Sequence, residues 1–282
     1  MIKKISYKIF GRIAESYSDY FDILSSQLKQ ADMKYSASEY VSVLMLTSII
    51  SFAAVLITGS FYITLTTTYA FYSYTLSIIL SIVATAGVFV VGYYYPNMKA
   101  KGLQNKINKN LPFASIYMAT VASSELSPAE LFKIVSTRKG EIGKECEKIY
   151  RDIHMLGMDF STAITKAANR TPSMKFSELL WGMISVINRG GNLGGYLTEK
   201  SKEFMADYRR SLDDYSKQIS LYTEIYITLV IVGTLFFIVL SSIMSPLVGG
   251  DILMVQTFLV FFFIPMISAG FLVLLKGLSP SE

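Results

Sequence analysis

Residues 187–201 read I-N-R-G-G-N-L-G-G-Y-L-T-E-K-S, and the reading of Gly190, Gly191, Gly194 and Gly195 within them decides the fold. A glycine-rich loop beside Arg189 and ahead of a helix has the form of a phosphate cradle, which would place the chain among nucleotide-binding α/β proteins. The spacing argues against that. A Walker A loop requires G-x-x-x-x-G-K-[ST], because the lysine reaches the outer phosphates and the hydroxyl holds magnesium. Gly190 and Gly195 are correctly separated, but Tyr196 and Leu197 follow them. The dinucleotide pattern G-x-G-x-x-G fails at Asn192. The alternative is a structural corner. Glycine closes one helix because it enters the left-handed region cheaply, and Asn192 opens the next as its N-cap. At least one of the four glycines is expected at positive φ.

Working outward, the flanking punctuation is helical. Asn108 and Pro112 lie near the start of a helix that ends near Ser124. Ser127-Pro128-Ala129-Glu130 combines an N-cap serine, a proline at the first helical position and a capping glutamate. A helix over about 141–156 closes at Gly157, Asp159 caps a short one to Ala168, and Thr171-Pro172 opens the one that ends at the glycines. No run alternates at period two long enough for a strand. The segment therefore reads as an all-α bundle of about six helices. After Asn192 no stop signal occurs until Pro246, which predicts a rod of about 50 residues, roughly 75 Å long.

Composition places this bundle in a membrane protein. Of the 282 residues 52% are hydrophobic and only 17% charged, with a mean hydropathy of +0.42; soluble domains carry about 25% charged residues. The apolar residues form blocks at Val41–Ile63, Tyr74–Tyr95, Tyr222–Met244 and Ile252–Leu275. Each is long enough to cross a hydrocarbon core of roughly 30 Å, so four transmembrane helices are expected. Glu224 sits within a turn of a span end and reaches water, so it is not read as an intramembrane proton site. Pro265 is expected to kink the fourth span.

Lysine and arginine set the orientation. Residues 1–40 hold six, 96–221 hold nineteen and the tail after 275 holds one, while the loops 64–73 and 245–251 hold none. Positive residues mark the cytoplasmic side, so both termini and the central segment are expected there. The net charge of +5 needs no nucleic acid. Lys99, Lys101, Lys106 and Lys109 follow the second span directly, where they meet anionic lipid headgroups, and Tyr93, Tyr94, Tyr95 and Tyr222 stand at membrane boundaries. Ile9, Ile13, Tyr17, Phe21 and Leu24 share one face of an amphipathic helix before the membrane, and Ser36 with Glu39 forms a capping box ahead of the first span. Whether that helix lies on the bilayer or on the cytoplasmic domain stays open at this point.

Chemistry-bearing constellations are sparse. His154 is the single histidine and Cys146 the single cysteine, so neither a metal cluster nor an intrachain disulfide is expected. Asp152 and Asp159 near His154 make no triad, and no G-x-S-x-G or H-E-x-x-H occurs. No enzyme activity and no cofactor are expected. Lys133, Arg138, Lys139, Lys144, Lys148 and Arg151 form a basic cluster interleaved with Glu141, Glu145 and Glu147. It reads either as a solvated helix face or as a docking patch for an acidic partner.

Taken in order, Asn110-Leu111-Pro112, S-S-E-L-S-P-A-E-L-F at 123–132, G-M-D-F-S-T-A-I at 157–164 and G-G-N-L-G-G-Y-L at 190–197 resemble the F domain of the type II secretion and type IV pilus superfamily. The likeness covers about 110–205 and extends to the span layout. Its style is closer to archaeal and Tad-like members than to bacterial pilus platforms.

The resemblance implies a platform protein in the plasma (inner) membrane beneath a pilus, archaellum or secretion pseudopilus. The implied partners are a cytoplasmic hexameric secretion ATPase, which alone hydrolyses ATP, and the pilin-like subunits whose insertion it drives. Bacterial pilus platforms usually carry two F domains and one is found here, which implies a homodimer or a dimer with a paralogue. The expected layout is a cytoplasmic amphipathic segment over 1–40, a transmembrane hairpin over 41–95, a cytoplasmic F-type helical domain over 96–221, a second hairpin over 222–275 and a cytoplasmic tail over 276–282. A small multispan transporter or channel would instead need polar groups facing one another within the spans. A membrane scaffold unrelated to filaments would share the topology but not the ordered elements.

Overall fold

The computed structural model describes residues 6–7, 10–11, 22–66, 70–124, 127–138, 140–248, 254 and 257–278, which are helical or in short connections with no strand among them. It divides into two compact units, Met1–Lys202 and Glu203–Glu282.

In the first unit, α1 (Asp22–Gln30) ends in a tight reversal. Asp32 takes φ 52°, Asp32 N donates to Lys29 O at 3.2 Å and Met33 N donates to Leu28 O at 3.0 Å. This is a Schellman closure with an aspartate where glycine is usual. Leu24 and Leu28 then pack with Tyr40, Val41 and Leu44 at the start of α2 (Ala37–Thr66), joined by Met33. The open question about the N-terminal amphipathic segment is answered for this part: α1 is folded against α2 and α3 (Ala70–Ala122). Ile9, Ile13, Tyr17 and Phe21 lie outside the described residues. The capping box is half formed, since Ser36 N donates to Glu39 Oε2 at 2.9 Å while Ser36 Oγ meets Ser38 Oγ.

Helices α2 and α3 are antiparallel. Tyr40 meets Gly92 at one end, and Gly59 lies beside Ser77 further along. Small residues let the backbones approach, as is usual between apolar helices. Ser77 and Ser81 are buried there, and the Ser81 and Thr85 hydroxyls donate to carbonyls one turn back.

One expectation is corrected in α3. The second span and the helix around Pro112 were read as separate elements, but Ala70–Ala122 is one helix with Pro96 and Pro112 inside it. A proline removes one hydrogen bond from the ladder, and a helix survives that where the freed carbonyl finds another donor. For Pro96 the donor is Tyr40.

The second half of α3 enters a helical bundle with α4 (Pro128–Ser136), α5 (Glu141–His154), α6 (Phe160–Arg170), α7 (Met174–Asn188) and the start of α8 (Leu193–Tyr226). Each presents apolar residues at helical spacing. Ile107, Leu111 and Met118 come from α3, Leu131, Phe132 and Val135 from α4, and Ile142, Cys146 and Ile149 from α5. Ala163, Ile164 and Ala167 of α6, Phe176, Leu179, Leu180 and Met183 of α7, and Leu197 of α8 are also buried. Asp159 caps α6 by accepting from Ser161 N at 3.0 Å. Ser127 makes no side-chain cap on α4, and the helix opens on Pro128 alone. At the next boundary the cap is Ser173, which accepts from Phe176 N at 3.1 Å, rather than Thr171.

In the second unit, α8 leads without a loop into a π-type segment (Ile227–Val232) and then α9 (Gly233–Val248), so the helix passes Pro246 by two residues. Another π segment (Leu259–Phe263) precedes α10 (Ile264–Leu278). Pro265 stands at that junction, directly after the π segment. Tyr226 shares a 2.8 Å hydrogen bond with Ser268 and stacks on Phe271 at 4.6 Å.

Among the described residues, three helices are long and apolar enough to cross a membrane: Ala37–Tyr62, Thr75–Ala122 and Leu193–Ile243. The fourth expected span is represented by a shorter apolar helix, Val260–Val273, and residues 251–253 and 255–256 lie outside the described set.

Candidate functional site: the glycine corner and the basic face

The corner between α7 and α8 is built from two caps. Gly190 has φ 65°, its N–H donates to Ile187 O at 3.0 Å, and Gly191 N donates to Val186 O at 2.8 Å. That is a second Schellman closure, with glycine in the left-handed position where a side chain would strain. Asn192 Oδ1 then accepts from Gly195 N at 2.9 Å and opens α8.

The other glycines serve packing. A Cβ on Gly194 would lie 3.1 Å from the Ala122 carbonyl oxygen at the end of α3, so the two backbones meet there. A Cβ on Gly191 would press on Val186 Cγ1 at 3.2 Å, whereas one on Gly195 would meet only Asn192 side-chain atoms at ordinary distance. Gly182 on α7 leaves room for the Tyr196 ring, whose hydroxyl donates to Leu179 O at 3.3 Å. A groove of about 520 Å³ beside the corner is lined by Ala122, Ser123, Asn192, Gly194, Thr198 and Lys202, among others.

The basic residues divide into two groups. Lys133, Arg138 and Lys144 are exposed on the α4–α5 side of the bundle. Lys133 lies 3.6 Å from Glu130 and 5.8 Å from the Tyr150 ring centroid, and the Arg138 guanidinium stacks 4.2 Å over Tyr117. Lys144 pairs with Glu141 at 2.8 Å, and that hydrogen bond raises its pKa. Lys139 lies outside the described residues.

Lys148 turns inward, its side chain 19% exposed. It bridges Asp32 at 2.8 Å and Glu145 at 2.9 Å, and Glu145 also meets Arg170 at 3.2 Å. One turn further along α5, buried Asp152 pairs with Lys166 at 3.0 Å. Two carboxylates on the buried face of α5 are thus neutralised from α6. In the sequence, the alternation of Glu145 with lysines is indistinguishable from an exposed charge pattern, so its burial is not legible there. His154 packs on Tyr150, ring to ring at 4.3 Å.

These features define a class: an all-helical membrane protein in which an apolar hairpin runs directly into a helical domain closed by a glycine corner. Residues 114–241 match the family model described as Type II secretion system (T2SS), protein F. Among curated proteins, the chain is 25% identical over 206 residues to an uncharacterised protein of Methanocaldococcus jannaschii, covering 69% of this chain and 34% of that one. It is 26% identical over 172 residues to flagella accessory protein J of the same organism, covering 60% and 30%. The protein of that name from Methanococcus voltae is 24% identical over 172 residues, covering 60% and 31%. The match spans about a third of the length of each relative. No solved structure matches the chain.

Proposed function

We propose that the chain is a multi-pass platform protein of the plasma membrane that couples a cytoplasmic hexameric secretion ATPase to the insertion of pilin-like subunits into an archaellum-like or pilus-like filament. The observation that carries the reading is α3. Its first half is an apolar hairpin helix, and its second half supplies core residues Ile107, Leu111 and Met118 to the helical domain. A displacement of the domain therefore reaches the hairpin through continuous helix rather than through a flexible linker. The match to flagella accessory protein J supports placing that coupling in filament assembly.

In this reading the chain crosses the membrane four times, with both termini and residues 96–221 cytoplasmic. It works as a homodimer or with a paralogue, and it binds and hydrolyses no nucleotide itself. Lys133, Arg138, Lys139 and Lys144 offer the ATPase a basic docking face, and α8 with the segment after it carries the movement back to the bilayer. Lys99, Lys101 and Lys106 hold the junction against anionic lipid. The reading predicts that deleting this chain abolishes filaments while subunit and ATPase levels stay normal. Normal filament number in the deletion strain would overturn it.

A further inference from the structure

Pro96 stands where the apolar part of α3 gives way to the part that enters the helical domain. It has no N–H, so the carbonyl four residues back, that of Gly92, loses its helical partner. The Tyr40 hydroxyl, at the start of α2, donates to that carbonyl at 2.7 Å. The fit around it is close, because the Leu44 side chain fills the space that a Cβ on Gly92 would take. Tyr40 and Leu44 are in turn buried under Leu24 and Leu28 of α1. Just past the end of α1, Asp32 meets Lys148 of α5 at 2.8 Å and fastens α1 to the helical domain.

We infer that Pro96 is a hinge between the membrane part and the domain part of α3, and that the Tyr40 hydroxyl is the latch that holds it. With the latch closed, the Gly92 carbonyl is satisfied and the angle at Pro96 is fixed by α2. With it open, the Gly92 carbonyl is unsatisfied and the ladder is one bond short at that point. Helix α1 connects the latch to the domain: its Leu24 and Leu28 pack with Tyr40, and Asp32 just past its end is held by Lys148. A shift of α5 thus bears on the latch through contacts that are contiguous and named, which is the physical requirement for coupling. The device deepens the platform reading, but its existence does not depend on an ATPase.

The test exploits the reason for the latch. In the full chain in lipid nanodiscs, with Cys146 replaced by serine, spin labels go on lipid-facing Ile50 and on Met174 of the domain. Tyr40→Phe removes only the hydroxyl and should turn a single narrow distance distribution into a broad one with a second, shifted population. Pro96→Ala restores the N–H donor that the Gly92 carbonyl lacks, so in the Pro96→Ala background Tyr40→Phe should leave the distribution narrow. A narrow distribution in Tyr40→Phe alone would overturn the latch. Equal broadening by Tyr40→Phe with and without Pro96 would also overturn it, because the hydroxyl would then act through some contact other than the carbonyl that proline frees.

Discussion

The Lys148 ammonium lies 2.8 Å from the Asp32 carboxylate and so ties the end of α1 to α5. Asp32 occupies a left-handed backbone position at φ 52°, which glycine would take more readily. The ion pair is a physical reason for aspartate there. Lys148 also covers buried Glu145, so its loss leaves a carboxylate with Arg170 as its remaining ion-pair partner. Lys148→Ala should destabilise the domain by about 1–3 kcal/mol. Lys144→Ala, which removes an exposed pair, should leave the denaturation midpoint unchanged. Chemical denaturation followed by the fluorescence of Trp181, the single tryptophan, distinguishes the two.

The same pair has a pH signature. The hydrogen bond from Lys148 holds the Asp32 carboxyl below its ordinary value, with Coulombic attraction to Lys148 and Arg170 adding to it against some burial. A carboxylate whose pKa is depressed in the folded state stabilises fully above its unfolded value, about 3.9, and loses that contribution as pH falls through the folded value. Stability of the wild type minus that of Asp32→Asn should therefore be constant from pH 7 down to about 5 and shrink below about 4. A difference that grows on acidification would contradict the assignment.

Burial pushes the Cys146 thiol well above its ordinary range. The thiolate is the reactive form, so the folded chain should resist maleimide and disulfide reagents at pH 7–8. It should react with one equivalent once the domain is unfolded in denaturant. Rapid labelling of native protein would mean that the α5 face is open.

The corner predicts a ranking. At Gly190, asparagine should be tolerated better than alanine, and valine should cost most, about 1–2 kcal/mol, because only the backbone angle is at issue. At Gly194 the obstacle is the Ala122 carbonyl, so alanine should already weaken the α3–α8 contact. Gly195→Ala should be near neutral, since its Cβ meets only movable side-chain atoms. Thermal midpoints of the five variants give the order directly.

Much of this was legible in the sequence because local chemistry determines it. The Asp159 and Asn192 caps and the glycine at positive φ follow from what a chain end needs. The ordered elements from Leu111 to Leu197 led to the family that the domain matches. What escaped depends on partners far apart in the chain. Pro96 could be read as a helix boundary, but the Tyr40 hydroxyl 52 residues away from Gly92 decides that the helix continues. Lys148 belongs by spacing to the basic cluster, and only the end of α1 reveals that it points inward. Ser173 replaced Thr171 as the cap because a one-residue shift leaves the sequence signal intact.

In the proposed function, the exposed basic face of the helical domain docks a secretion ATPase. The most direct measurement is the association rate of the full chain in nanodiscs with the hexameric secretion ATPase of the same cell, at low and at physiological salt. Surface charges steer encounter and are screened over about 8 Å at 0.15 M. Wild-type association should slow as salt rises. Arg138→Glu with Lys139→Glu and Lys144→Glu should slow it about tenfold or more at low salt, whereas Lys99→Glu with Lys101→Glu and Lys106→Glu should leave it unchanged. Equal rates for wild type and the first triple variant at both salts, or no binding by the wild type at all, would contradict the account.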